Sequence, residues 1–156
     1  MQVPLTQAIR DQQAGDNGEA REESPRTVEK PAARTVLVVD DDQLFRWAIR
    51  ETLENGGYAV VEAGDARAAR EAFLPGKRPV DVVFLDLQLP DSHDLRVLST
   101  LHRLAPSTAI VLMTSFGSGD VRVNAYALGA FAVLDKPFEL NLVLSLVERA
   151  LSVRPQ

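Results

Sequence analysis

Four apolar runs in this chain lead into side chains that can handle phosphate. Val36-Leu37-Val38-Val39 closes on Asp40, Asp41 and Asp42, and Val82-Val83-Phe84-Leu85 closes on Asp86. Ala109-Ile110-Val111-Leu112-Met113 closes on Thr114, and Phe131-Ala132-Val133-Leu134 runs into Asp135-Lys136-Pro137. Three adjacent aspartates beside a fourth repel one another unless a cation lies among them. A hard divalent ion such as Mg²⁺ suits one or two carboxylates completed by waters and a phosphate oxygen. Helix capping by Asp41 or Asp42 competes with that explanation, but capping accounts for one aspartate and not for three. Next to a metal, Asp86 at the end of its apolar run can attack phosphorus and form an acyl phosphate. Lys136, aimed by a Lys-Pro step, can neutralise charge on the phosphoryl oxygens. Taken singly, Lys136 reads as a surface lysine and Thr114 as a strand-ending β-branched residue. Their joint placement carries the argument.

For these groups to meet, the apolar runs must be neighbouring strands. Runs of this length, rich in Val and Leu, read as strands of a parallel sheet covered on both faces. In open α/β sheets the ligand crevice lies beyond the carboxyl ends of the strands. The rest of the sequence supplies the alternation such a sheet needs. Strands are expected over Thr35–Asp40, Tyr58–Ala63, Val80–Asp86, Thr108–Thr114 and Phe131–Asp135. Helices are expected over Gln43–Asn55, stopped by Gly56-Gly57, and from Asp65 as cap to about Leu74, broken by Pro75-Gly76. Three more run from Asp94 to Leu104, from about Asp120 to Leu128, and from Phe138 to Leu151. Strict alternation at this spacing predicts a doubly wound α/β fold.

The composition narrows the function. The chain has 156 residues, 46% hydrophobic and 25% charged, with a formal charge of -5, which fits one soluble domain and offers no basic patch for nucleic acid. No stretch has the length of a membrane span, and Met1–Arg10 lacks a signal-peptide pattern. There is no cysteine, and His93 and His102 are the only histidines, which excludes thiolate chemistry and a histidine-rich metal site. A cytoplasmic location is the expectation. Residues 1–34, poor in large apolar side chains, are expected to form a disordered tail, with a short helical turn or docking peptide conceivable at Val3–Arg10. The folded domain is expected over 35–152, with 153–156 as a C-terminal tail.

Together, Val36-Leu37-Val38-Val39-Asp40-Asp41-Asp42, Leu85-Asp86-Leu87-Gln88-Leu89-Pro90, Met113-Thr114-Ser115 and Lys136-Pro137-Phe138 resemble the signature of response-regulator receiver domains, of the CheY-like superfamily. The match runs from about Thr35 to Leu151. Leu85–Leu104 and Phe45-Arg46-Trp47 resemble the NtrC-like branch in particular. The resemblance implies a flavodoxin-like, five-stranded parallel sheet in the order 2-1-3-4-5, with helices on both faces.

It also implies roles for single residues. Asp86 would be the phosphoacceptor. Mg²⁺ would be held by one of Asp40 and Asp41 together with Asp86 and the backbone carbonyl of Gln88. Thr114 would hydrogen-bond the phosphoryl group and move inward, and Lys136 would pair with a phosphoryl oxygen beside a cis Lys136-Pro137 bond. The donor would be a sensor histidine kinase or a phosphotransfer protein. The output would be a downstream effector or an attached output domain, or a phosphorylation-dependent dimer, with no direct binding of nucleic acid or membrane. Because the chain ends just past the last helix, both a stand-alone receiver and a fragment of a larger regulator are expected possibilities.

Three positions depart from the family pattern. Val133 stands three residues before the lysine, where many receivers carry Tyr or Phe, so Thr114 and its loop would carry the signal alone. His93-Asp94-Leu95 replaces the usual Asp-Gly before leucine, so Asp94 is expected either to cap the third helix or to adopt a left-handed conformation. Phe116, two residues past Thr114, is expected to shield the acyl phosphate from water. His93 itself is expected to be a solvated loop residue, Trp47 to be packed or partly exposed, and Phe138 to anchor the last helix. Two other functions share these residues. An aspartyl-nucleophile phosphohydrolase commonly places an acidic residue two positions after the nucleophile, where Gln88 stands here. A docking module that is never phosphorylated would not need the intact set. The reading is of a phosphoacceptor with at most slow self-dephosphorylation, not an enzyme.

Overall fold

The computed structural model describes residues 33–115 and 117–153. Most of the expected N-terminal tail, Phe116, and residues 154–156 lie outside them. Five strands and five helices alternate: β1 (Thr35–Val39), α1 (Gln43–Asn55), β2 (Ala59–Ala63), α2 (Ala66–Glu71), β3 (Val82–Asp86), α3 (Arg96–Leu104), β4 (Ala109–Thr114), α4 (Gly119–Ala127), β5 (Ala132–Asp135) and α5 (Asn141–Ser152). All pairings are parallel, in the order β2-β1-β3-β4-β5.

The apolar runs are explained by burial on two sides. Along each central strand successive side chains alternate between faces. Val36, Val38, Val82, Phe84, Val111 and Met113 pack with Ile49 and Leu53 of α1 and with Val143, Leu146, Val147 and Ala150 of α5. Leu37, Val39, Val83, Leu85, Ile110 and Leu112 pack with Ala66 and Ala69 of α2, Val97, Leu98 and Leu101 of α3, and Ala125 of α4. Two layers of helix therefore cover β1, β3 and β4, leaving only their carboxyl ends open.

Helix starts follow the local chemistry. The Asp42 carboxylate accepts from the Leu44 and Phe45 amides at 3.1 and 3.2 Å, and that of Asp65 from the Ala68 amide at 2.7 Å. Ser118 caps α4 by accepting from the Val121 amide at 3.3 Å. Gly57, at φ +92°, takes the chain out of α1 in a conformation costly for other residues.

Several elements are shorter than the sequence pattern predicts. β3 begins at Val82; at Asp81 the carboxylate takes the Thr35 amide at 2.9 Å, while the Asp81 amide still donates to the Thr35 carbonyl at 2.9 Å. Beyond Glu71 the chain tightens into i→i+3 turns at Phe73 and Leu74 and does not continue α2 to Leu74. α3 starts at Arg96, whose amide donates to the Asp94 carboxylate at 2.9 Å. Asp94 thus satisfies a donor at the helix entrance, and no non-glycine residue among those described has positive φ. α5 starts at Asn141 and not at Phe138, since the bonds from Leu142 to Glu139 and from Val143 to Leu140 are again i→i+3.

Candidate functional site

β1 and β3 are adjacent, with Val39 in register with Leu85. The residues that follow each strand's apolar run therefore meet at one place on the rim. Asp40 is fully buried and Asp86 is 7% exposed, whereas Asp41 faces solvent. One carboxylate oxygen from each of the three lies within 4.8 Å of the others. Asp40 is held from two sides: its Oδ1 accepts from the Asp42 amide at 2.9 Å, and its backbone carbonyl accepts from the Arg46 guanidinium at 2.5 Å. Asp86 Oδ1 accepts from the Gln88 amide at 3.2 Å.

Lys136 reaches this cluster from just past β5, two strands from β3 and three from β1. Its Nζ lies 2.6 Å from Asp40 Oδ2 and 3.6 Å from Asp86 Oδ2, with the side chain 19% exposed. The ammonium is therefore committed first to Asp40 and only secondarily to Asp86. It also sits 4.5 Å from the centre of the Phe45 ring, a favourable cation–π placement. Phe45 in turn meets Phe138 edge-on, at 5.7 Å between centroids. Phe138 thus braces the Phe45 ring that the lysine sits over, besides packing against the α1–α5 layer. The Lys136-Pro137 peptide is cis, and the Lys136 amide donates to the Thr114 carbonyl at 2.8 Å, which ties the lysine's backbone to the end of β4.

Burial is the main cause that lifts the Asp86 carboxyl above the ordinary carboxylate range. Asp40 reinforces it, Lys136 and the Gln88 amide oppose it, and Asp41 adds a smaller push upward. Three carboxylates with one ammonium leave a surplus of negative charge at the rim. Hard oxygen donors around an open cavity are the donor set that Mg²⁺ takes, so the residues present fit such an ion. The cavity, about 400 Å³, is lined by Asp40, Asp41, Asp42, Asp86, Gln88, Leu89, Pro90, His93, Ser115 and Lys136.

The structure therefore brings together Asp40, Asp41, Asp86, Gln88 and Lys136. Thr114 ends β4 beside them but is only 1% exposed and does not line the cavity; Ser115 does. Trp47 is about half exposed on α1. Val133 is buried in the sheet core at the position where an aromatic would have to swing.

Sequence reasoning gave no site role to Phe45, Arg46 and Asp91. Phe45 and Arg46 act at the rim from the first turn of α1, three and four residues past the capping Asp42; the sequence marks them only through the family resemblance of Phe45-Arg46-Trp47. His93, expected as a plain loop residue, lines the cavity as well. Asp91 accepts from the Ala66 and Arg67 amides at 2.8 and 3.1 Å, fastening the loop after β3 to the start of α2. Nothing local in the sequence marks that last contact.

Residues 36–148 match the family model described as the response regulator receiver domain. Among curated relatives, the DNA-binding transcriptional regulator NtrC of Escherichia coli K12 is 35% identical over 117 residues, covering 75% of this chain and 24% of that protein. The C4-dicarboxylate transport transcriptional regulatory protein DctD of Pseudomonas aeruginosa is 35% identical over 126 residues, covering 79% and 26%. The chain thus spans about a quarter of the length of these relatives. A CheY-like receiver domain protein from Methanospirillum hungatei superposes with a TM-score of 0.73 at 25% identity, over 78% of this chain and 95% of that one. The non-phosphorylated HemR receiver domain of Leptospira biflexa gives 0.71 at 28% identity, over 79% and 98%. A Burkholderia pseudomallei response regulator, solved with a phosphorylated aspartic acid, a calcium ion and citrate, gives 0.68 at 28% identity, over 77% and 70%.

Proposed function

This chain belongs to the response-regulator receiver family, and from that premise we propose that it is a phosphorylatable switch with Asp86 as the phosphoacceptor. The observation that carries the reading is Lys136 Nζ placed between the buried carboxylates of Asp40 and Asp86, at 2.6 and 3.6 Å. A carboxylate oxygen of Asp86 attacks phosphorus. The bond from phosphorus to the donor's imidazole nitrogen breaks, and an acyl phosphate forms on Asp86. Asp40 or Asp41, with Asp86 and the Gln88 carbonyl, would hold Mg²⁺, which would neutralise charge on the phosphoryl oxygens. Lys136 shifts its attachment from Asp40 toward a phosphoryl oxygen. Thr114 turns toward the same group, drawing the end of β4 with it. The acyl phosphate then acts as a bound ligand that favours one of two conformations.

The donor in this reading is a sensor histidine kinase or a phosphotransfer protein in the cytoplasm. The receiver of the signal is a downstream effector, an output domain, or a second copy of the chain. A calcium ion and a phosphorylated aspartic acid in the Burkholderia pseudomallei relative support an oxygen-liganded cation beside the modified carboxylate here. Among the described residues no helix is long and apolar enough to cross a membrane.

Intact mass after incubation with acetyl phosphate tests the proposal. A single phosphoryl adduct is expected with Mg²⁺, absent without it and absent in Asp86→Asn. A folded protein with no adduct would overturn the switch in favour of a docking module. Steady phosphate release without an adduct would point to a hydrolase.

A further inference from the structure

The turn between β4 and α4 leans on a charged pair that the phosphate chemistry does not use. Asp135, the last residue of β5, forms an ion pair with Arg122 in the first half of α4. A Cβ on Gly117 would stand 2.6 Å from the Asp135 Oδ1 and 3.0 Å from the Thr114 methyl, so this glycine lies flat between the two. Asp135 is also the chain neighbour of Lys136, whose amide is bonded to the Thr114 carbonyl. Asp135 is therefore joined, by backbone or by contact, to both groups that answer to a phosphoryl group on Asp86. α4 itself has modest apolar anchoring: Ala125 is its single fully buried residue, and Val121 is partly buried against the core. Val133, fixed in the sheet core, supplies no aromatic to couple β5 to α4.

We infer that Arg122 and Asp135 form a charged latch that holds α4 and the Gly117 turn against β5 in the unphosphorylated protein, and that phosphorylation releases it. The inference rests on the receiver reading above. When Lys136 moves toward the phosphoryl group and Thr114 moves inward, the surfaces on either side of Gly117 shift together and the Asp135 carboxylate leaves Arg122. The two side chains are 37% and 54% exposed, so the pair adds little to global stability. An equilibrium between two nearly balanced conformations responds to the same small energy by a severalfold change in population. Arg122 and Asp135 are thus positioning residues for the responsive segment and need not touch the phosphate.

Amide NMR spectra of the full chain, before and after Mg²⁺ and acetyl phosphate, test this. In unphosphorylated Arg122→Gln and Asp135→Asn, resonances of Gly119–Ala127 should move along the line joining the wild-type unphosphorylated and phosphorylated positions. The expected population change is about 1.5- to 5-fold, the range open to an exposed pair. The double variant should move no farther than either single one. Gly117→Ala, which pushes the Asp135 carboxylate aside without changing charge, should move in the same direction. Resonances that stay in place or leave that line, in variants that still take up the phosphoryl group, would overturn the latch alone. No adduct on the wild type would overturn the latch and the receiver reading together.

Discussion

α3 and α4 are each nine residues long and cover the same face of the sheet, yet they are held in different ways. α3 buries Val97, Leu98 and Leu101 against the core, whereas α4 buries Ala125 alone and leaves Val123 67% exposed, with Tyr126 half exposed. α3 follows the strand that ends in Asp86; α4 follows the strand that ends in Thr114. The helix after Asp86 is fixed by apolar area, which is costly to give up. The helix after Thr114 is fixed by Ala125, a partly buried Val121, a serine cap and an ion pair, which together give less to lose. A rigid half that holds geometry and a lightly held half that changes position are what a two-state element requires.

Deleting side chains from the two helices sharpens that contrast most directly. Leu98→Ala should lower unfolding free energy by about 3 kcal/mol, as for other large buried leucines. Val123→Ala, on the exposed face of α4, should change it by less than about 0.5 kcal/mol. Urea titrations of both variants measure this. Equal losses would mean that α4 is as firmly seated as α3 and would remove the basis of the comparison.

A second test addresses how the rigid half tolerates its charges. Lys136→Met leaves the buried Asp40 and Asp86 carboxylates together without their ammonium. Unpaired buried charge is strongly destabilising, and because Lys136 retains some solvent contact the loss expected is about 2 kcal/mol. Mg²⁺ should restore part of it, since a cation among the carboxylates replaces the missing charge. A variant as stable as the wild type without Mg²⁺ would show that solvent, and not Lys136, neutralises the site.

The sequence made the rigid half readable because its signals are periodic and short in range. Continuous apolar runs can exist only where a strand is covered on both faces, so the run and the residue that ends it locate the rim. Asp40, Asp86 and Lys136 were recoverable for that reason, and the capping aspartates Asp42 and Asp65 for a similar one. The strand order came from the family resemblance, not from periodicity. The lightly held half was less readable. Arg122 and Asp135 are 13 residues apart with no pattern linking them, and a glycine that lies flat against a carboxylate looks in sequence like any loop glycine. Helix ends were overextended at Leu74 and Phe138 because apolar spacing persists through i→i+3 turns that no longer belong to the helix. Each of these contacts is made between elements by tertiary placement, and propensity carries no record of it.

Asp91 offers the smallest test, on the loop that leaves the strand ending in Asp86. It fastens the loop leaving β3 to the start of α2, and its carboxyl is held below the ordinary range chiefly by the Ala66 amide, which burial opposes next most strongly, with the Arg67 amide and Arg70 adding smaller downward effects. A carboxyl whose pKa is depressed by folding contributes stability that is fully present above its unfolded value. That contribution is lost as pH falls through the folded value. Asp91→Ala should therefore lower stability at neutral pH by about 0.5 kcal/mol, the low end for a helix-start acceptor because the group is exposed. The difference from wild type should shrink as pH falls below the ordinary carboxylate range and vanish once the carboxyl is protonated in the folded state as well. Thermal melts of the two proteins from pH 7 down to pH 3 read this out. A difference that persists undiminished in acid would mean that Asp91 acts by shape and not by its charge. A difference that also appears in the amide positions of α4 would be the more telling result. It would mean that the rigid half and the responsive half are coupled through the loop after β3, so the contrast between α3 and α4 would then be one of degree of anchoring and not of separate function.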